Sequence, residues 1–295
     1  MQRQRSRKFP WKFPELPESW TPWLFLLPSL LAVGVLVLIP FVDVVRRSFF
    51  SAMGGEFVGL KNYTGLFANQ AFLLAAKNTA LFLLVCIPLL LIVSMMLAWM
   101  IAEIREQKGI LKTSFLIPMT IPAASVVLLW QIFFRSNGLL NRFLDGFGVG
   151  AIDWLNSEWA FGVLVATYLW KNAGYDMVIW LSGIAAISPS LYESAQLDGA
   201  GGIQRLWYIT LPNLLPTFFT IAVLSILNAF KVFREAYLIS GSYPHESIYM
   251  LQHLFNNWFL NLDVDKMCAG AVMLAVVVMA LIGLLRLLLR KGEQV

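Results

Sequence analysis

The chain has 295 residues, of which 59% are hydrophobic and only 13% are charged, and its mean hydropathy is +0.71. Because soluble globular domains carry about 25% charged residues, this composition excludes a soluble domain and predicts an integral membrane protein. The formal net charge of +5 does not indicate nucleic-acid binding, because basic residues beside a membrane span serve first to set its orientation.

Apolar stretches long enough to cross a bilayer, which takes roughly 20 residues, recur from one end of the chain to the other. We predict six transmembrane helices in an all-α, polytopic fold. Their approximate ranges are 24–45, 79–102, 113–134, 161–187, 212–230 and 268–288. The first and third contain prolines, which membrane helices tolerate as kinks when packed neighbours satisfy the freed carbonyl groups.

An even number of spans places both termini on one side of the membrane. Lys and Arg are in excess in the segments before the first span and after the last one, which predicts cytoplasmic termini. The domains are then a basic cytoplasmic tail over 1–23, a transmembrane domain over 24–288 that includes a cytoplasmic loop over 188–212, and a cytoplasmic tail over 289–295. No A-x-A cleavage site follows the first span, so we expect it to remain as an anchor.

Motifs for catalysis, metal binding and nucleotide binding are missing from the sequence. G-x-x-x-x-G-K-[ST], H-E-x-x-H and G-x-S-x-G do not occur. Cys86 and Cys268 lie in apolar sequence and are expected to pack as small hydrophobic side chains, and His245 and His253 have no ligand spacing around them. We therefore expect no enzyme activity, no metal and no cofactor on this chain, so ATP would have to be bound by another subunit.

The segment 188–212 has the pattern of two short helices joined by a turn. Ser190 and Glu193 have the S-x-x-E spacing of a capping box, which predicts the start of a first helix. Gly199 predicts its end, because glycine adopts the left-handed C-cap conformation at little cost. A second short helix follows, and Pro212 opens the fifth span. Such a helix-turn-helix between two membrane spans would be rigid enough to transmit force.

The same segment contains nine residues whose types and spacing form a recognisable motif. These are Glu193, Ser194, Ala195, Asp198, Gly199, Ala200, Ile209, Leu211 and Pro212. The set resembles the signature loop of binding-protein-dependent ABC importer permeases, E-A-A-x3-G-x9-I-x-L-P, with Ser194 in place of the middle alanine and with the D-G-A found in sugar permeases. Gly59–Tyr63 and 228–235 are also similar to this family, whereas Ser240–Pro244 departs from its T-x-G-G-P.

The resemblance implies a permease subunit of the carbohydrate importer family in a bacterial inner membrane. It would form half of the translocation pathway for a sugar or a sugar-like solute. The implied partners are a second, different permease, two copies of a cytoplasmic ABC ATPase that carries ATP and Mg, an extracytoplasmic sugar-binding protein and membrane lipid, but no nucleic acid. The sequence does not choose among oligosaccharides, monosaccharides and glycerol phosphate esters.

The resemblance also implies roles in coupling to the ATPase. Glu193 would contact a basic residue of the ATPase, Ala195 and Ser194 would allow close approach, and Gly199 would set the angle between the two short helices. Apolar side chains would seat the loop in the ATPase, and they are Leu197, Ile209 and Leu211. Two alternatives stay open: Glu193 could be only a capping residue, and Asp198 could only support the local turn.

Polar and aromatic residues in the fourth and fifth spans are candidates for the substrate path. They are Lys171, Asp176, Trp180, Asn228 and Phe230. Ionisable groups within a span usually face protein or a water-filled cavity, because exposure to lipid costs several kcal/mol. Lys171 and Asp176 could instead lie near the interface or pair with each other, and Asn228 could form an interhelical hydrogen bond.

Two other classes of membrane protein are alternatives for a chain of this composition. An ion-coupled secondary carrier would show repeats and charged sites at the membrane midplane, but no repeat is visible and the spans hold few charges. An intramembrane enzyme would need a nucleophile or a metal set, and the sequence offers neither. The importer permease is therefore the favoured hypothesis, and the secondary carrier is the alternative.

Overall fold

The structure is a computed structural model that describes residues 21–51, 55–104 and 108–292. Within these ranges the chain is helical almost throughout, and β pairing is limited to a bridge between Phe50 and Phe57. The α-helices are α1 Thr21–Val33, α2 Ile39–Arg47, α3 Lys61–Ala68, α4 Gln70–Glu103, α5 Lys108–Thr120, α6 Ala123–Phe134, α7 Leu139–Asp145, α8 Trp159–Ala186, α9 Pro189–Leu197, α10 Gly202–Arg205, α11 Leu211–Asn213, α12 Leu215–Ala229, α13 Phe233–Ser240, α14 Leu251–Leu260 and α15 Val264–Gly292. Wider π-helical turns cover Gly34–Leu38 and Leu206–Thr210, and 3₁₀ turns cover Phe230–Val232 and Glu246–Ile248.

The all-α, multi-span fold predicted from the sequence is confirmed. In the part of the chain that the structure describes, five helical segments are long and apolar enough to cross a membrane: Phe25–Arg47, Gln70–Glu103, Ala123–Asp145, Leu215–Ser240 and Val264–Leu289. The predicted fourth span is helix α8, whose 28 residues would reach about 42 Å at 1.5 Å per residue. Since α8 is not among the five apolar segments, the count of six spans stays a prediction. The predicted cytoplasmic tail over 1–23 falls almost wholly outside the described residues.

The predicted third span differs from the structure. Instead of one kinked helix over 113–134, the chain forms α5 and α6 with a break between Thr120 and Ala123. Pro122 causes the break, because it cannot donate a backbone hydrogen bond and its ring disfavours helical backbone at the residue before it. Pro118, in contrast, lies inside α5 without ending it.

Helix α4 is the central element of the packing. Its N-terminal part meets α14 and α15 around Phe72, and its middle meets α8 around Phe82 and Leu90. Its last turns pack with Trp180 of α8 and Ile221 of α12. The apolar face of α4 therefore fixes the relative positions of α8 and α12, which carry the candidate substrate path.

Many large apolar side chains face outward on the membrane-spanning helices. The 18-residue apolar window within Phe25–Arg47 has no buried residue at all. In water, an apolar surface of this extent would promote aggregation. In a bilayer it costs nothing, because lipid tails solvate it as well as a protein core would.

Candidate functional site

The 188–212 segment folds as a helical hairpin between α8 and α12, hereafter the 188–212 hairpin. Its first helix, α9, begins two residues earlier than a capping box at Ser190 would place it. Ser188 is the N-cap residue and Pro189 is the first helical residue, a position where proline loses no hydrogen bond. Because Glu193 lies in the middle of α9 with an exposed side chain, the proposed capping box of Ser190 and Glu193 is wrong.

Gly199 ends the first helix as the sequence predicts. Its φ of +78° lies in the left-handed region that glycine adopts without strain. The amide of Ala200 donates to the carbonyl of Ala195, and the amide of Gly199 donates to that of Gln196, so the last carbonyl groups of α9 are satisfied. Asp198 is exposed at this turn.

The second arm of the hairpin runs from α10 through the π-helical turn Leu206–Thr210 into α11. The side chain of Gln204 accepts a hydrogen bond from the amide of Gly201 at 2.8 Å, which fixes the start of this arm. The two arms are joined by a hydrogen bond of 3.0 Å between the hydroxyls of Tyr192 and Thr210. The hairpin is therefore a braced unit and not a loose loop.

The hairpin presents apolar side chains to its surroundings. Leu197 is 90% exposed and Tyr208 is 81% exposed, although the hairpin is too short and too polar to cross a bilayer. Ile209 behaves differently, because it is half-buried and packs on the core between α4, α8 and α12. Of the residues predicted to seat the loop, Leu197 lies on the free surface, whereas Ile209 and Leu211 lie at the hairpin's base.

A second polar feature is a cavity of about 220 Å³ between α5, α8, α12 and α13, hereafter the charged cavity. Its lining consists of Met119, Thr167, Tyr168, Lys171, Asn172, Asn228, Val232, Arg234 and Glu235. Lys171 Nζ lies 2.7 Å from Glu235 Oε1, and the two side chains are only 15% and 10% exposed. This ion pair joins α8 to α13 across 64 positions of the sequence.

The structure brings together two of the five predicted path residues, Lys171 and Asn228, in the charged cavity. Asp176 does not pair with Lys171: it is 1% exposed and accepts a hydrogen bond of 2.9 Å from Ser225 of α12. Trp180 is buried and donates to Ser94 of α4 at 3.0 Å. Asp176 and Trp180 thus connect α8 to its neighbours by the interhelical hydrogen bonds typical of membrane bundles.

Sequence reasoning missed the partner of Lys171. Arg234 and Glu235 stand a few residues after the predicted end of the fifth span at position 230. Ionisable residues so close to an apolar span were the signal that could have indicated a partner for Lys171. Phe230, which was predicted to lie on the path, is half-buried in the 3₁₀ turn before α13. It does not line the charged cavity.

Metal binding finds no support in the described part of the chain, where no group of three or more His, Cys, Asp or Glu side chains could hold an ion. Cys86 and Cys268 are buried and unpaired by any disulfide. Cys86 belongs to the apolar cluster around Phe82 and Leu90, which agrees with the interpretation of it as a packing residue, whereas Cys268 is buried but belongs to none of the apolar clusters of the described residues.

Comparison with protein families gives a match over most of the chain. Residues 80–291 match the model of the family described as binding-protein-dependent transport system inner membrane component. The sulfoquinovosyl glycerol transport system permease protein SmoG of Agrobacterium fabrum is 31% identical over 278 residues, which cover 88% of this chain and 90% of that protein. The sn-glycerol-3-phosphate transport system permease protein UgpA of the same organism is 28% identical and covers 90% and 93%.

A solved structure agrees with the described fold. It is the bacterial alginate ABC transporter in complex with an alginate pentasaccharide-bound periplasmic protein. One of its chains superposes with a TM-score of 0.78 at 25% sequence identity, covering 92% of this chain and 95% of that one. The similarity of the two folds therefore extends over most of both chains.

Proposed function

The chain belongs to the family of binding-protein-dependent transport system inner membrane components, and on that premise we propose that it forms half of the translocation pathway of an ATP-driven importer for a sugar or a sugar-like solute. Family membership makes it a permease subunit of a bacterial inner membrane and not an enzyme. The other half of the pathway is a second permease, and the energy comes from two copies of a cytoplasmic ABC ATPase that bind ATP and Mg.

The class of solute is proposed from the relatives. The names of the two similar permeases refer to sulfoquinovosyl glycerol and to sn-glycerol-3-phosphate, and the similar structure is of an alginate transporter. Each of these solutes is a carbohydrate or a polyol derivative. A hydroxyl-rich solute, delivered by an external binding protein, is therefore the best-supported cargo for this chain.

The observation that carries the coupling role is the exposure of apolar side chains on both arms of the 188–212 hairpin. A braced pair of short helices that exposes Leu197 and Tyr208 has the character of a docking element, since apolar and aromatic side chains form the centres of protein interfaces. Glu193 adds one exposed carboxylate on the same helix as Leu197. We assign the ATPase-coupling surface to Glu193, Ser194, Ala195, Leu197, Asp198 and Gly199, with Ile209, Leu211 and Pro212 supporting it from the base of the hairpin. We place both termini in the cytoplasm with this surface.

A secondary carrier is a weaker candidate. A carrier works without an ATPase, whereas the family here is defined by binding-protein-dependent transport systems. The buried Lys171–Glu235 pair would suit an ion-coupled carrier, but buried ion pairs also occur as fixed structural elements. Family membership therefore decides in favour of the importer.

The experiment uses the complex of this chain with its partner permease and ATPase in liposomes. In Glu193→Lys, the ATPase should still co-purify, while solute-stimulated ATP hydrolysis and uptake should fall by about tenfold or more, because like charges at an interface cost several kcal/mol. Glu158→Lys is the matched control, since Glu158 is also an exposed glutamate but lies before α8. Normal uptake by Glu193→Lys, or an equal loss in both variants, would contradict the coupling role.

A further inference from the structure

The charged cavity holds more positive than negative charge. Two cations, Lys171 and Arg234, and one carboxylate, Glu235, stand in its lining. The carboxylate of Glu235 already forms an ion pair with Lys171, with Oε1 2.7 Å from Nζ. Arg234 is exposed, and it makes no ion pair with any other part of the chain that the structure describes. One full positive charge of the lining is thus left without a counterion among the residues that the structure describes.

Asp176 does not supply this counterion. It lies five residues beyond Lys171 on α8, which corresponds to roughly 7.5 Å along the helix axis. Its carboxylate is buried, accepts a hydrogen bond from Ser225 and is not part of the cavity lining. Asp176 therefore does not neutralise the excess positive charge of the cavity lining.

An unpaired guanidinium beside a buried ion pair is suited to an incoming anion. Arginine binds carboxylates and phosphates through two parallel hydrogen bonds, and lysine can exchange one carboxylate partner for another because its ammonium group is not tied to one geometry. Glu235 occupies the position at Lys171 that an anionic group of a solute would take.

We propose that the charged cavity selects solutes that carry an anionic group, a carboxylate or a phosphate, with Arg234 as its first partner and Lys171 as its second. This rests on the proposed function, because it names the charge class of the solute that the permease carries. Typical ligand pockets measure about 300–1,000 Å³. A cavity of about 220 Å³ therefore takes one acidic unit and not a whole oligosaccharide.

The test is calorimetric titration of the permease–ATPase complex in nanodiscs, without the external binding protein, so that only the membrane site is titrated. The probes are two matched pairs, glucuronate with glucose and glycerol 3-phosphate with glycerol. At least one anion should bind about tenfold more tightly than its neutral partner, which is about 1.4 kcal/mol. Arg234→Gln should remove most of this difference and leave the neutral probe unchanged.

Two further variants make the result specific. Arg142→Gln removes the same charge from the exposed surface of α7 and should leave the preference intact. Glu235→Gln removes the competing carboxylate and should tighten binding of the anion. Equal binding of anion and neutral probe, no binding of either anion, or equal effects of Arg234→Gln and Arg142→Gln would overturn the proposal. If a complex with one of these results still takes up a neutral sugar when ATP is supplied, the proposed importer function is unaffected. If the chain binds no ATPase, the importer function itself is contradicted.

Discussion

His253 shows how burial constrains a single ionisable residue outside the five apolar segments. Its side chain is fully buried in α14, where Nδ1 accepts a hydrogen bond of 3.2 Å from the amide of Met250. The ring stacks near Tyr249 and meets Phe233 edge-on, with centroids 4.8 Å apart. Burial among these groups lowers the pKa of His253 to about 4, so the imidazole is neutral in the folded protein.

Acidification should therefore destabilise the protein through His253. Its pKa lies below the ordinary value of about 6.5, so the unfolded chain binds more protons between these two values and stability falls as the pH drops from about 6.5 to about 4. The slope should approach 1.4 kcal/mol per pH unit. Thermal unfolding of the purified complex across this range measures the effect.

Two variants test the assignment to His253. His253→Asn keeps a hydrogen-bond acceptor near Met250 but cannot titrate, so its stability should vary much less between pH 6.5 and pH 4. His245→Asn removes the other histidine of the chain and should retain the wild-type slope. If His253→Asn retains the full slope, another group is responsible.

At the scale of elements, the contact between α5 and α8 depends on a glycine. A Cβ atom built at Gly174 would overlap the carbonyl oxygen of Phe115, so the two backbones are in direct contact at this glycine. Close backbone approach at small residues is a main source of helix association in membranes. Gly174 therefore sets the distance between the helix that carries Lys171 and the helix that carries Met119.

Gly174→Ala should separate α5 from α8 and destabilise the protein by about 1–3 kcal/mol, the usual cost of overpacking. Gly162 lies in the same helix, and a Cβ atom there would meet nothing within 4 Å, so Gly162→Ala should be neutral or slightly stabilising. Thermal stability of the two purified variants, compared side by side, measures the difference. Equal stability would show that the helices can shift apart without cost.

The elements visible in the sequence are those that local chemistry determines. Runs of apolar residues predicted the spans, and Gly199 predicted the end of α9 because only its own backbone conformation was involved. The helix start at Ser188 was missed because Ser190 and Glu193 satisfied the pattern of a capping box, whereas Pro189 imposed an earlier start. The break at Pro122 was predicted only as a kink, since whether a proline ends a membrane helix depends on its packed neighbours.

The candidate site was less predictable than the fold. Lys171 and Asp176 stood out as charges within one apolar run, but their partners, Glu235 and Ser225, come from helices that only the folded packing brings near. No periodicity within α8 encodes those contacts. The signature of the 188–212 hairpin, in contrast, is contiguous, so nearly all of its residues could be named from the sequence.

At the scale of the whole molecule, the membrane topology turns on α8. The five apolar segments do not include it, because it carries Lys171, Asp176 and several polar residues. Those residues are satisfied inside the bundle by Glu235 and Ser225, so a crossing helix need not expose them to lipid. We therefore expect α8 to cross the membrane, giving six spans with the 188–212 hairpin on the cytoplasmic side.

Cysteine labelling decides between five and six spans. Phe147, before α8, is 72% exposed, and Leu197, after it, is 90% exposed, whereas the two native cysteines are buried and give little background. In right-side-out vesicles, a membrane-impermeant maleimide should label Phe147→Cys and not Leu197→Cys, and inside-out vesicles should give the reverse. Labelling of both positions from the same side would mean that α8 does not cross the membrane. In that case the buried Lys171–Glu235 pair could not lie on a path through the bilayer, and either the hairpin would face away from a cytoplasmic ATPase or the N-terminus would lie outside the cell.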